Sequence, residues 1–239
     1  MIMFVYYGFD FFYVILVMPC LLLSLWASYR VNSSFKKYSG YQTMRGISGA
    51  DAARRVLAAH GIRNVQIICI DGNLTDHYDP RANVIRLSSS VYHGRTVAAV
   101  GVACHEAGHA VQYAVSYAPI RLRAAIIPIT NIGSKLAMPL IILGLLLNFG
   151  AGLSYVFVYL GIGCFALSLV LQLVTLPVEF NASRRAIVCI NEQELLTPDE
   201  QKGAKRVLRA AAMTYVAATA VSLAQLLRLL LIANRRSRR

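Results

Sequence analysis

Long apolar runs alternate with mixed polar segments along the chain. The first run extends from Phe11 to Ala27 and approaches the roughly 20 residues that a helix needs to span a bilayer. No basic residue precedes it, whereas Arg30, Lys36 and Lys37 follow it. The run therefore predicts an uncleaved membrane anchor with its amino terminus outside. A buried core helix is the alternative for this run.

Two further apolar runs lie in the second half of the chain. The run from Leu136 to Leu147 predicts a helix from about Ile132 to Phe149. The run from Leu153 to Leu176 is long enough to span a bilayer again, and Gly150-Ala151-Gly152 marks a break between the two. Together they predict a transmembrane hairpin whose tip is outside and which returns the chain to the cytoplasm near Glu179.

The last apolar run, Ala210 to Ala233, leaves two interpretations open. It contains Gln225 and Arg228, and four arginines follow it among the last five residues. If this helix crossed the membrane, the basic tail would lie outside, against the bias of basic residues toward the cytoplasm. A helix at the interface or packed on the soluble part avoids that conflict. We therefore expect three or four transmembrane helices.

The segment between the first two runs has the pattern of a soluble α+β domain. A helix is predicted to start at Ser48, with Ser48 as its cap, and to end at Gly61. Val65–Ile70 and Val84–Leu87 are typical of short strands, and the residues between them carry two strong turn signals. A helix, a small sheet and a second helix are expected in that order.

Composition and charge place these elements at a membrane. The chain is 57% hydrophobic and its mean hydropathy is +0.54, which is too apolar for a typical soluble globule. The formal net charge is +13, but the basic residues cluster beside the apolar runs, as cytoplasmic flanks of membrane helices do. Because no basic stripe with interleaved aromatic residues appears, nucleic acid is not an expected partner.

One segment carries the pattern of a zinc enzyme. His105-Glu106-Ala107-Gly108-His109 lies in an apolar stretch, and these two histidines and the glutamate are its only charged or imidazole-bearing residues between Thr96 and Ala118. On a helix the two histidines share one face and can bind one Zn²⁺ ion, with Glu106 beside it as a general base. Burying the three is costly unless they are paired or bind metal. One zinc ion per chain is therefore predicted.

Glu179 is the candidate third ligand. A catalytic zinc ion takes three protein ligands and leaves one position for water. Glu179 follows a membrane helix directly, where a carboxylate is costly unless it is paired or ligates a metal. The alternative is an interfacial salt bridge with Arg184 or Arg185.

Four blocks in order carry a resemblance to a known family. They are the His-Glu motif, Leu176–Ala186, Leu74–Arg81 and Leu87–Tyr92, and with them the chain resembles the neutral zinc metallopeptidases of bacterial membranes. It is more distantly similar to the membrane heat-shock and CAAX prenyl zinc proteases, whose third ligand is a glutamate on a later helix. The resemblance implies a zincin-like catalytic domain and zinc endopeptidase activity.

The surroundings of the metal depart from those relatives at one position. They usually carry an aspartate four residues after the ligand glutamate, which orients a histidine, and Ser183 stands there in this chain. Ser183 or Asn181 is therefore expected to supply that outer contact.

Four residues are candidates for stabilising the oxyanion or contacting substrate: Arg184, Arg185, His77 and Tyr78. For the last two, a turn in which Asp76 and Asp79 cap their own backbone is the alternative. The strand from Asn83 to Leu87 is expected to offer an edge to an extended substrate.

These patterns divide the chain into four parts. Residues 1–29 form the anchor, 30–123 the cytoplasmic part with the zinc-binding helix, 124–178 the hairpin, and 179–239 the third-ligand helix, a cytoplasmic segment and the last apolar helix. The expected protein is a multi-pass zinc endopeptidase of the inner cell membrane, with its active site facing the cytoplasm, that cuts membrane-associated or misfolded polypeptides. An inactive zinc-binding scaffold and a zinc hydrolase of a non-peptide substrate are the alternatives, and the oligomeric state stays open.

Overall fold

The computed structural model of the chain describes residues 11–146 and 151–237. They form two compact units. The mixed unit comprises Ala27–Leu122 and Thr175–Thr214, and the helical unit comprises the described parts of Met1–Trp26, Arg123–Val174 and Tyr215–Arg239.

The mixed unit begins with the end of one helix and a complete second one. A π-helical turn at Tyr13–Val17 leads into α1, Met18–Ser39, and α2 follows at Gly49–Ala59. The Ser48 hydroxyl accepts a hydrogen bond from the Asp51 amide, so it satisfies one of the free N–H groups at the start of α2. The predicted cap is confirmed.

Three short strands form the sheet of the mixed unit. They are β1, Gln66–Ile70, β2, His77–Asp79, and β3, Val84–Ser88, in the spatial order β1-β3-β2. The β1 and β3 strands pair in parallel, with Ile68 opposite Arg86, and β2 pairs antiparallel to β3, with Tyr78 opposite Ile85. The two strands predicted from the sequence are confirmed.

Two expectations for this sheet are wrong. The β3 strand does not offer an edge, because it lies between the other two strands, and four of its five residues are buried. Strands covered on both sides have such continuous burial. The residues His77 and Tyr78 lie in β2 and not in a turn. The turn signals belong to the flanking residues, where Asp79 accepts hydrogen bonds from the amides of Arg81 and Ala82.

The core of the mixed unit forms around one helix. After the short helix α3, Ser89–Tyr92, α4 runs from Val97 to Ala114 and begins with the Thr96 hydroxyl accepting from the Ala99 amide. Most of α4 is buried, including the residues directly before and after the His-Glu motif. The helix belongs to the main hydrophobic cluster together with α2 and β3. A polar motif in such a position must satisfy its polar groups inside the protein.

The three remaining helices are longer than the apolar runs that predict them. They are α5, Ala118–Leu146, α6, Ala151–Glu192, and α7, Pro198–Ser237. The α6 helix continues through Pro177, so Glu179 belongs to the same helix as the apolar run before it. Residues 147–150 lie outside the described part of the chain, and with them Gly150 of the predicted break, whereas Ala151 and Gly152 belong to α6.

Close helix contacts define the helical unit. A Cβ added to Gly144 would lie 2.7 Å from the Ser154 carbonyl oxygen, and one added to Gly161 would lie 2.7 Å from the Ala137 carbonyl oxygen. Glycines at these positions therefore let α5 and α6 approach closely, as small residues do between membrane helices.

Four of the described helices are long and apolar enough to cross a membrane. The candidate spans are Tyr13–Ser39, Ala118–Leu146, Gly152–Glu192 and Pro198–Asn234. Large apolar side chains such as Leu22, Ile132 and Leu160 are exposed on them, which suits lipid as the surrounding solvent. The protein is thus a mostly helical, membrane-associated chain with a small three-stranded sheet.

Candidate active site

Two histidines of α4 face the same point. His105 and His109 are four residues apart and so lie one helical turn from each other, with ring centroids 4.7 Å apart. His109 is 9% exposed. A helix that is apolar on its other sides fixes both rings against the core of the mixed unit.

Glu179 of α6 completes this group. Its Oε2 atom lies 3.3 Å from Nε2 of His105 and 3.5 Å from Nε2 of His109. Glu179 is 3% exposed, and the potential ligand atoms of the three residues all lie within 4.8 Å of one another. The structure therefore brings together the three residues that the sequence predicts as ligands.

The distances from Glu179 to the two histidines are those expected between zinc ligands. Two ligands about 2.0 to 2.1 Å from a tetrahedral zinc ion lie about 3.3 to 3.4 Å apart. The two distances between Oε2 of Glu179 and the imidazole nitrogens match that separation. Two neutral imidazoles and a carboxylate are also a donor set that catalytic zinc ions use.

The motif glycine makes the contact between the two helices possible. A Cβ on Gly108 would lie 2.8 Å from the backbone oxygen of Ala182 in α6. Real Cβ atoms do not come this close to a carbonyl oxygen, so a glycine is needed here. Gly108 directly precedes His109, and Ala182 lies three residues after Glu179. The close approach of the two helices at this point therefore sets the distance between His109 and Glu179.

Each histidine is held through its other nitrogen. The Ser183 hydroxyl lies 3.2 Å from Nδ1 of His105, and Oε1 of Gln112 lies 3.0 Å from Nδ1 of His109. These contacts leave both Nε2 atoms for the metal position, and such partners orient histidine ligands. Of the two residues expected to supply the outer contact, Ser183 is therefore the one that lies beside an imidazole.

Gln112 is a site residue that the sequence reasoning missed. It is fully buried, and its Nε2 donates to the Val178 carbonyl at 2.8 Å and to Oδ1 of Asn181 at 3.0 Å. Asn181 thus contacts Gln112 and not an imidazole. The available signal was an uncharged polar residue three positions after His109 in an apolar helix.

Glu106 is held by the sheet and lies outside the group of three candidate ligands. The backbone amide of Tyr78 in β2 donates to Oε2 of Glu106 at 3.0 Å. Glu106 is 8% exposed, and burial raises the pKa of its carboxyl group. A carboxylate with a raised pKa beside a metal position is suited to accept a proton and hold it.

The remaining candidate residues have varied surroundings. His77 is exposed, and its Nδ1 lies 2.8 Å from the Thr75 carbonyl oxygen. The Tyr78 hydroxyl donates to Oδ1 of Asn83 at 2.7 Å. Arg185 donates from Nε to Oδ1 of Asn181 at 2.8 Å, and Arg184 is exposed. Of the four, Tyr78 contacts Glu106 directly through its backbone.

The fold and this site define the class of a membrane-associated zinc metallopeptidase. A sequence model described as "Putative neutral zinc metallopeptidase" matches residues 13–234, and the chain belongs to this family. It is 44% identical over 220 residues to "Putative membrane protease YugP" of Bacillus subtilis (strain 168), which covers 92% of this chain and 96% of that relative. No solved structure matches the chain.

Proposed function

We propose that the protein is a membrane-embedded zinc metalloendopeptidase with a zincin-like catalytic unit. The observation that carries the proposal is the convergence of His105, His109 and Glu179 on one point, with Glu106 beside them and not among the ligands. A purely structural metal site has no use for an additional buried carboxylate at this position. The family and the relative's name agree with the proposal.

The donor atoms of the proposed zinc site are Nε2 of both histidines and the Glu179 carboxylate, with one ion per chain. Bound zinc would supply a Lewis acid that polarises the scissile carbonyl and lowers the pKa of water. Ser183 and Gln112 hold the imidazoles in the orientation that this requires. Glu106 takes the proton from the attacking water at its carboxylate and delivers it to the leaving amine.

The β2 strand is the proposed edge for the substrate backbone. It is an edge strand of the sheet, and its central residue, Tyr78, contacts Glu106 through the backbone. A polypeptide that extends the sheet beside β2 would therefore pass the proposed general base. Backbone hydrogen bonds give affinity with little sequence selectivity, which suits membrane-associated or misfolded proteins as substrates. Arg184, Arg185 and His77 are proposed as further substrate or oxyanion contacts.

The active site is proposed to face the cytoplasm from the inner cell membrane. Basic residues follow the first apolar run, and Arg184 and Arg185 follow Glu179; cytoplasmic flanks of membrane helices are rich in such residues.

Glu106→Gln tests the proposed mechanism. The variant should retain one zinc ion per chain and lose at least 100-fold in peptide cleavage, because glutamine cannot take a proton. Zinc content and the cleavage of an unfolded protein by purified enzyme, with and without chelator, are the measurements. Glu179→Ala is the matched variant for the ligands and should lose zinc.

Three outcomes oppose this proposal. Full zinc occupancy in Glu179→Ala removes the third ligand. Unchanged cleavage by Glu106→Gln removes the general base. If the wild-type protein holds zinc but cleaves no peptide, and Glu106→Gln has the same biological effect as wild type, the protein is a scaffold.

A further inference from the structure

A groove between α6 and α7 lies beside the proposed active site and shares Ser183 and Arg184 with it. Five residues of α6 between Phe180 and Val188 and five of α7 between Lys205 and Met213 line it. On each helix they are three or four positions apart and so form one face. The groove has a volume of about 560 Å³, within the range of pockets that bind small ligands. We refer to it as the α6–α7 groove.

The α6–α7 groove is apolar at its far end, and its three cations lie from the middle toward the connection between the helices, where Ile187 and Val188 also line it. Only residues 193–197 connect the two helices, and helices joined so briefly run antiparallel. Positions near this connection therefore face each other, as Gln201 and Asn191 do through a 3.5 Å hydrogen bond. Lys205 lies toward the connection, whereas Phe180 and Met213 lie at the far end.

Three positive charges line the groove without a negative partner in it. They are carried by Arg184, Lys205 and Arg209, and the lining contains no carboxylate. In the part of the chain that the structure describes, other surface cations such as Lys202 and Arg45 form salt bridges with acidic side chains. No such pair is found there for the three groove cations. A groove of this kind attracts an anion.

The position of the groove along both helices agrees with a membrane surface. The long apolar run of α6 ends at Leu176, four residues before Phe180, and the apolar run of α7 begins at Ala210. The apolar end of the groove thus adjoins these two apolar runs, and Arg184, Lys205 and Arg209 lie farther along each helix from them. Phospholipids have the same order, with acyl chains inside the bilayer and phosphates at its surface.

We propose that the α6–α7 groove binds one anionic phospholipid. The phosphate lies among Arg184, Lys205 and Arg209, and one acyl chain lies along the apolar end toward Phe180 and Met213. This inference rests on the membrane placement of the site proposed above, and does not require peptide cleavage.

The groove is less suited to the substrate than to a lipid. It meets the active site through Ser183, whose hydroxyl contacts Nδ1 of His105. That nitrogen is on the opposite side of the imidazole from Nε2, which faces Glu179. A ligand in the groove therefore lies on the Nδ1 side of His105 and contacts Ser183.

Lipid retention by the purified full-length protein tests the proposal. The protein is reconstituted in bilayers of phosphatidylglycerol and phosphatidylcholine in a 1:4 ratio, for example, extracted, and analysed for bound lipid by native mass spectrometry. Wild type should retain about one phosphatidylglycerol per chain in preference to phosphatidylcholine. Lys205→Gln/Arg209→Gln should reduce this retention about tenfold or more, since each basic contact near a membrane surface contributes to affinity.

The matched control removes two charges elsewhere. Lys36 and Lys37 are exposed, lie at the end of α1 and are not in the groove, so Lys36→Gln/Lys37→Gln should retain the lipid. Phosphatidylglycerol with a photoreactive acyl chain should also cross-link the unaltered protein within residues 180–188 or 208–213. This second measurement decides the question if the groove variant does not fold.

Equal retention of the two lipids, equal loss in the two double variants, or cross-links confined to other segments would each overturn the proposal. Zinc content and cleavage are measured on the same samples. If the protein binds phosphatidylglycerol selectively but cleaves nothing, the lipid site is supported and the proposed function is wrong. If it cleaves peptide but does not select phosphatidylglycerol, the proposed function is supported and the lipid site is wrong.

Discussion

At the scale of single residues, the two histidines of the site depend on neutral partners. Ser183 contacts one imidazole and Gln112 the other, and each contact fixes which nitrogen faces Glu179. A neutral partner orients the ring but, unlike a carboxylate, adds no negative charge to the ligand. The zinc affinity of this site is therefore expected to depend strongly on geometry.

Gln112→Leu is expected to weaken zinc binding by about 10- to 100-fold, the usual cost of losing an outer partner of a metal ligand. Leucine is similar in size but cannot hold His109 or donate to Val178 and Asn181. Competition with a chelator of known affinity measures the change. The control is Gln201→Leu on α7, whose side chain contacts Leu196 and Asn191, and which should leave zinc binding unchanged. Equal affinity of the Gln112 variant and wild type would contradict the positioning role.

The sequence predicts those site residues that can be recognised from their neighbours along the chain. His105, Glu106 and His109 follow from helical spacing, and Glu179 follows from the cost of a carboxylate at the end of an apolar run. Gln112 does not, because a glutamine on a helix is ordinary until α6 is known to pack against it. Its role depends on a contact between residues 66 positions apart.

At the scale of elements, the site depends on the approach of α4 to α6. Gly108 allows the two helices to come this close. The β2 strand is the third element of the site, because the backbone amide of Tyr78 holds Glu106. The β2 strand could not be predicted because its three residues are polar or aromatic and are enclosed by turn signals. Its pairing with β3 is a tertiary contact that periodicity does not report.

Gly108→Ala is expected to destabilise the protein by about 1 to 3 kcal/mol, as overpacking between rigid elements does. The added Cβ would meet backbone, which cannot rotate away, so the helices must separate and zinc affinity should fall as well. Alanine favours a helix over glycine, and this opposes part of the loss.

Gly101→Ala on the same helix is the control for that substitution. There the added Cβ would lie 3.4 Å from Cβ of Ala204, an ordinary contact. Denaturant unfolding in detergent should show this variant as stable as wild type or more so. Equal stability of the two alanine variants would mean that α4 and α6 do not approach as closely as described.

At the scale of the whole molecule, the packing of α7 bears on the number of membrane crossings. Leu229 and Ala233 near the end of α7 pack with Ile141 of α5 and with Val158 and Ile162 of α6. The α6 residues lie near the start of that helix, about 20 residues before Glu179 in sequence, which is about the number that a helix needs to span a bilayer. The end of α7 therefore packs beside the start of α6.

A contact with the π-helical turn before α1 leads to the same conclusion. The guanidinium of Arg228 lies 5.4 Å from the centre of the Tyr13 ring, at the beginning of the first candidate span. This contact gives a charge inside an apolar run a favourable partner. The sequence alone did not decide whether the last helix crosses the membrane, because the positive-inside bias describes the charged tail and not the contacts of the helix before it. Arg238 and Arg239 of that tail lie outside the described residues.

We therefore expect α7 to cross the membrane and to place its two ends on opposite sides. In a cysteine-free variant, a membrane-impermeant maleimide added to sealed cells should label Asn234→Cys and not Asp199→Cys, because both residues are exposed but lie near opposite ends of the helix. Permeabilised cells, where both should react, provide the control. Labelling of neither position in sealed cells, with both labelled after permeabilisation, would show that α7 stays on the cytoplasmic side. In that case the arginine tail would follow the positive-inside bias, and the contacts of Arg228 and Leu229 would have to form at that surface.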